Sequence, residues 1–330
     1  MVIPATYSAS LFLLLLAFLC FAAWPNLYKQ SQGRWRYELF SLDFALGALL
    51  FGLLTAYTLG TLGAEMSFTD RMLISGRAAF VWIVGAGAIF ALGNMLLLAS
   101  MSLVGVAAAF CMTFATTMIA AALLHFRAFA AATLGLGIFA MLLAIVAAAL
   151  GVWGLRSSNR RANGIKAVVF AILSGIALGG VQFILKLTSD PDFGPGPYAT
   201  VLMMSLGLVI ATPLIDIFFM KIKIVGNPIS FRNYKNGALQ LHTRGLLSGA
   251  LWAAGALAVL LALSVTGEQA PGTPLIFLFP AVSVILCMFF GLFRWKEFVA
   301  GMRRTRNYVF AGACCFVLGT VLLAFGLAAR

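Results

Sequence analysis

The sequence predicts an all-α polytopic membrane protein whose ten transmembrane helices form two inverted five-helix repeats. Apolar residues make up 63% of the 330 residues and charged residues only 9%, against roughly 25% charged in a soluble domain. Mean hydropathy is +1.05. At roughly 20 apolar residues per crossing, the chain holds about ten helices and leaves no room for a sizeable extramembrane domain. The repeat rests on a third observation. Residues 87–100, GAIFALGNMLLLAS, share a pattern with residues 249–262, GALWAAGALAVLLA. Gly87, Phe90 and Gly93 in the first copy match Gly249, Trp252 and Gly255 in the second. Small residues at such spacing let helix backbones approach closely in lipid.

The expected spans cover residues 5–24, 42–62, 79–99, 103–124 and 128–155 in the first half. Those of the second half cover 165–187, 198–220, 245–266, 273–293 and 308–327. The first repeat is thus residues 1–156, a basic cytoplasmic linker occupies 157–164, and the second repeat is 165–330. Five is odd, so the second half enters the membrane from the opposite side and the repeat is inverted.

The first span reads as a retained helix. No Lys or Arg precedes Lys29, and Leu19 is too large for the position before a lipoprotein cysteine at Cys20. It ends at Trp24-Pro25, with Trp24 and Tyr28 on one face. A bend beside an aromatic suits a gate over a cavity, and interfacial anchoring is the plainer role. Asp43 opens the second span, where a carboxylate suits a helix N-terminus or proton coupling. The third span carries Phe90 and then Asn94, whose counterpart in the second copy is Ala256.

Thr113, Thr116 and Thr117 fall on one side of the fourth span. Threonines there commonly bond their own backbone, yet opposite a proline-containing helix such as the ninth, with Phe279-Pro280, they suit a pore that opens and closes. In the sixth span Gln182 and Lys186 are four apart and share a face. Lys186 suits snorkelling to the headgroups, and Gln182, lying deeper, suits hydrogen bonding to a solute. Asp216 lies near the end of the seventh span, three residues after Pro213, with Lys221 and Lys223 close enough to pair with it.

Seventeen of the 22 basic residues fall in loops after odd-numbered spans. Positive loops stay in the cytoplasm, so both termini face outward and the protein belongs in a bacterial-type inner membrane. The formal charge of +13 is met by anionic lipid headgroups; it has no clustered stripe of the kind that binds nucleic acid. Cys20, Cys111, Cys287, Cys314 and Cys315 lie in apolar runs with no C-x-x-C, as small packing residues do. Only His125 and His242 are available as imidazole ligands. With no Walker, G-x-S-x-G or H-E-x-x-H sequence, neither an enzyme nor a metal or organic cofactor is expected. A channel would need a continuous polar stripe through several helices, which is not found.

The helix count, the inverted halves, and Trp295-Lys296-Glu297-Phe298 followed by Arg303-Arg304 resemble the drug/metabolite transporter superfamily. The segment from Lys29 through Arg34-Trp35-Arg36-Tyr37-Glu38 to Asp43, with Gly93-Asn94, is similar to the glucose/ribose and rhamnose-proton porters and to the ureide permeases. The short linker lacks the long Walker-like loop of plant ureide permeases. The resemblance implies a solute cavity among helices one to four and six to nine, and secondary uptake of small uncharged polar molecules, often driven by protons.

The expected function is therefore import of a small uncharged polar solute, monosaccharide-like, by alternating access. The coupling ion is a proton, with sodium as the alternative. Asn94, Gln182, Thr113 and Thr117 would replace the solute's lost water, Trp24, Phe90 and Trp252 would stack on it, and Lys186 would border the cavity. Asp43 first and Asp216 second are the candidate proton carriers. A ureide or nucleobase permease and an exporter of drugs or metabolites remain open on the same fold, as does a monomeric or homodimeric state.

Overall fold

The computed structural model describes all residues except 5, 64, 125–133, 157–160, 189–193, 266–272, 298–302 and 329–330. In chain order the helices are α1 (Tyr7–Ser31), α2 (Tyr37–Tyr57), α3 (Phe68–Ile74), α4 (Arg77–Val104), α5 (Val106–Leu124), α6 (Leu134–Arg156), α7 (Arg161–Leu187), α8 (Gly196–Lys221), α9 (Phe231–Lys235), α10 (Leu239–Leu263), α11 (Thr273–Phe289) and α12 (Arg303–Ala328). A π-helical turn, Phe290–Arg294, extends α11. Among the described residues nine helices are long and apolar enough to span a membrane, joined by the shorter apolar stretch Ala281–Arg294. This is a polytopic all-helical membrane protein.

Most helices run past the ends of their apolar stretches. Without water to bind free backbone groups, continuing the helix is the cheapest way to satisfy them. α1 passes through Pro25 and continues to Ser31. Around the proline, Asn26 Nδ2 donates to the Ala22 carbonyl at 2.8 Å and Ser248 Oγ to the Trp24 carbonyl at 2.8 Å. α2 starts at Tyr37 and α10 at Leu239, five and six residues before the expected starts. The short helices α3 and α9 were not expected, since neither is long or apolar enough to register as a span. The first residues of the fifth span, His125 and the first half of the linker lie outside the described residues.

The chain divides into two compact units, Met1–Leu92 with Val181–Pro271 and Gly93–Gly180 with Gly272–Arg330. Each draws helices from both halves of the sequence.

In the first unit α10 packs against α1 and α2, and α2 also packs against α8. α2 shows how an apolar helix chooses its faces. Phe40, Phe44 and Ala48 are fully buried, while Leu46, Leu50, Leu54 and Tyr57 point outward to where lipid lies. Gly245 and Gly249 of α10 form a G-x-x-x-G pair whose faces meet Asp43 and the Phe44 carbonyl of α2, and Gly47 of α2 meets the Leu246 carbonyl. No side chain fits at these contacts, so the backbones touch as small-residue membrane helices do. Gly87 of α4 and Gly207 of α8 make the same kind of approach.

In the second unit α12 lies on α6, and α5 contacts both α6 and α11. Gly105, at φ +97°, makes the sharp turn between α4 and α5. The freed N-terminus of α5 is closed by Glu297, whose Oε1 and Oε2 accept from the Val106 and Ala107 amides at 2.8 and 2.9 Å. A carboxylate there satisfies two orphan donors and complements the helix dipole.

Candidate functional site

In the first unit the aromatic residues of the repeated pattern meet each other. Phe90 of α4 stacks on Trp252 of α10 with centroids 4.3 Å apart and planes 27° apart. Phe44 of α2 joins them at 6.4 and 5.9 Å, and Trp24 of α1 packs edge-on to Phe44 at 5.3 Å. Four helices thus contribute to one buried aromatic cluster. Glycines flank it, since Gly249 lies one turn before Trp252 and Gly255 packs against the Phe21 ring. The rings suit stacking on a sugar face or heterocycle, and here they are occupied with one another.

Toward the start of α2 the same unit buries a polar cluster around Asp43, which is 1% exposed. Because α2 begins at Tyr37, Asp43 lies in its second turn and does not cap the helix. Its Oδ2 accepts from the Trp35 indole at 2.9 Å. Its Oδ1 accepts from the Tyr234 hydroxyl at 2.6 Å and lies 2.9 Å from His242 Nδ1. The groups come from the loop before α2, from α9 and from the first turn of α10. Burial, and then the hydrogen bond to Asp43, push the Tyr234 phenol above its usual range, so it remains a donor at physiological pH. Gly237 and Gly245 leave the space in which the ring and carboxylate sit.

Asp216 of α8 is also fully buried. It does not pair with Lys221 or Lys223 as the sequence suggested. Its Oδ1 accepts from Ser41 Oγ at 2.8 Å, and its Oδ2 has no hydrogen-bond partner among the described residues. The side chain points back into the unit toward α2, whereas Lys221, the last residue of α8, and Lys223 beyond it are exposed. Glu38, one turn before Ser41, is paired with Arg36, and this pair allows α2 to start ahead of its apolar run.

A cavity of about 270 Å³ opens between α2 and α8 beneath α9, lined by residues that include Leu42, Leu46, Val209, Pro213, Phe231 and Tyr234. Its hydroxyls are already used: Thr212 donates to the Leu208 carbonyl at 2.7 Å and Tyr234 to Asp43. It offers little to a sugar.

The second unit holds Asn94 and Thr113, 2% and 0% exposed. Among the described residues, Asn94 Oδ1 and Thr113 Oγ1 are buried with no hydrogen-bond partner. Both flank the same step of α7. Ser174 Oγ donates to the Gly93 carbonyl at 2.7 Å, and a Cβ on Gly175 would lie 2.5 Å from the Thr113 carbonyl. Thr116 and Thr117 differ from Thr113, donating to the Met112 and Thr113 carbonyls at 2.8 and 3.0 Å. Gln182 and Lys186, in the last turns of α7, are exposed.

The profile of one family, described as sugar transport protein, matches residues 13–326, nearly the whole chain. The chain belongs to the sugar transport protein family. It is thus a transporter family member whose family name points to sugar-like solutes. Comparison with curated proteins finds no match. Among solved structures, one titled only "Crystal structure of protein" is 15% identical, with a TM-score of 0.54 over 98% of this chain and 99% of the other. That likeness concerns the fold alone.

For this sugar transport family member the sequence pointed to Asp43, Asn94 and the aromatic cluster and missed Trp35, Tyr234 and His242. These three lie in or beside basic loops whose charges dominate any reading. The one local signal was Ser230 followed three residues later by Asn233, which form the capping box that starts α9 and so positions Tyr234.

Proposed function

We propose that this protein imports a small uncharged polar solute, monosaccharide-like, by alternating access coupled to protons. Its observational basis is the pair of buried, unpartnered neutral acceptors Asn94 Oδ1 and Thr113 Oγ1 in a chain of the sugar transport protein family. Buried polar atoms are nearly always satisfied, and a hydroxylated solute supplies the missing donors without bringing charge. Thr117, Gln182 and Lys186 are further candidate contacts, and Trp24, Phe90 and Trp252 are candidate stacking partners. Asp43 is the first candidate for the proton carrier and Asp216 the second. The basic odd-numbered loops support cytoplasmic placement of those loops and outward termini in an inner membrane.

The test is a thermal-shift screen of the detergent-purified protein against neutral monosaccharides, ureides, nucleobases and lipophilic cations. A ligand at 100 times its Kd stabilises the folded state by about 2.7 kcal/mol. Stabilisation by a monosaccharide is expected. Stabilisation by a ureide or nucleobase alone would move the protein to ureide or base transport, and a response confined to lipophilic cations would make it an exporter.

A further inference from the structure

The His242 ring has an oxygen at each nitrogen. Nδ1 lies 2.9 Å from Asp43 Oδ1, and Nε2 lies 3.1 Å from the Tyr234 carbonyl oxygen. A carbonyl only accepts, so Nε2 must carry a proton for that contact to be a hydrogen bond. A neutral imidazole has one N–H. With that proton on Nε2, Nδ1 turns a lone pair toward Asp43, and the contact holds only if the carboxyl is protonated. With protons on both nitrogens, Nδ1 donates to an ionised carboxylate. Both satisfied arrangements contain the same single extra proton.

We propose that Asp43 and His242 form a one-proton binding site, in which a proton shared between carboxylate and imidazole ties α2, α9 and α10 together and its loss unties them. Without it, one of the two ring contacts sets acceptor against acceptor in either tautomer. The remaining partners of Asp43 cannot compensate, because the Trp35 indole and Tyr234 hydroxyl already donate to it. The His242 side chain is 18% exposed and that of Asp43 1%, so the proton exchanges through the imidazole.

The neighbouring charges are engaged elsewhere. On α2 Glu38 is paired with Arg36, on α8 Asp216 takes the Ser41 hydroxyl, and on α10 Arg244 donates to the Gln30 carbonyl at 3.2 Å. Arg232 and Lys235 of α9 and Lys221 of α8 are exposed. That this proton drives transport rests on the proposed function; that the pair binds it does not.

Two readouts test the site without transport. The protein has two histidines, His125 and His242, so 15N-histidine labelling in a His125→Gln background reports His242 alone. Tryptic cleavage at Lys235 reports the release of α9. The expected result is one His242 titration that Asp43→Asn moves or abolishes, with cleavage several-fold faster on its alkaline side. In Asp43→Asn, whose amide can donate to Nδ1, cleavage stays slow and flat with pH. Should that variant not fold, His242→Gln serves, and its cleavage is likewise free of the titration step. A His242 titration unchanged by Asp43→Asn, or a wild-type cleavage rate unchanged across it, overturns the site. If the site titrates as described but solute uptake ignores pH, the site stands and the coupling falls.

Discussion

Phe90 and Trp252, which occupy matching positions in the repeated glycine pattern, stack on each other with ring centroids 4.3 Å apart. The pair joins α4 to α10 inside the first unit, with Phe44 of α2 against both rings. Removing one ring should leave a cavity that the packed helices cannot close. Trp252→Ala is expected to lower stability by about 3–5 kcal/mol and Trp252→Phe by much less, as measured by thermal unfolding in detergent. Equal losses for the two would show that the stack contributes nothing of its own.

The contact between α2 and α10 depends on having no side chain at Gly245 or Gly249. Gly245→Ala should collide with Asp43 and reduce both folded yield and transport. Gly85 of α4 faces open space, and Gly85→Ala should be neutral or slightly stabilising, since alanine gains about 1 kcal/mol over glycine in a helix. Comparing the two melting temperatures separates a packing requirement from a general intolerance of substitution.

Glu297 should matter through the N-terminus of α5. Replacing a helix-capping side chain by alanine costs about 0.5–2 kcal/mol, and Glu297→Ala should fall at the upper end because two buried amides lose their acceptor. Glu297→Gln keeps one carbonyl acceptor and should lose less. Hydrogen exchange at Val106 and Ala107 is the direct reading, and unchanged protection in Glu297→Ala would remove the capping role.

Asn94 and Thr113 are distinguished by what their loss should not do. An unpartnered buried polar atom contributes no stability, and its removal by a group of the same shape is neutral or favourable. Thr113→Val should therefore melt at or above the wild-type temperature while raising the KM for solute several-fold. A variant that is less stable but binds solute normally would make the hydroxyl structural.

How far the sequence could be read depended on the scale of each signal. Spans announce themselves through some twenty apolar residues, and the glycine and aromatic pattern put Phe90 and Trp252 at matching positions without foretelling that the two rings meet. Asp43 was recognisable as an expensive residue in an apolar run. Its setting was not, because the Arg36–Glu38 pair starts α2 five residues early and shifts Asp43 from the cap to the second turn. Its partners Tyr234 and His242 are 191 and 199 residues away along the chain, and only folding brings them together. Asp216 misled for the opposite reason. Two lysines adjacent in sequence looked like partners, while Ser41, 175 residues distant, is the group it meets.

Proton-coupled import is tested most directly by monosaccharide uptake into proteoliposomes under an imposed pH gradient, alkaline inside. Wild-type protein should accumulate the sugar above its external concentration and lose that ability when a protonophore is added. Asp43→Asn should still exchange sugar across the membrane at equilibrium but no longer concentrate it. Accumulation that persists in Asp43→Asn with its pH dependence intact would contradict the role given to Asp43, and accumulation indifferent to the protonophore would contradict proton coupling itself.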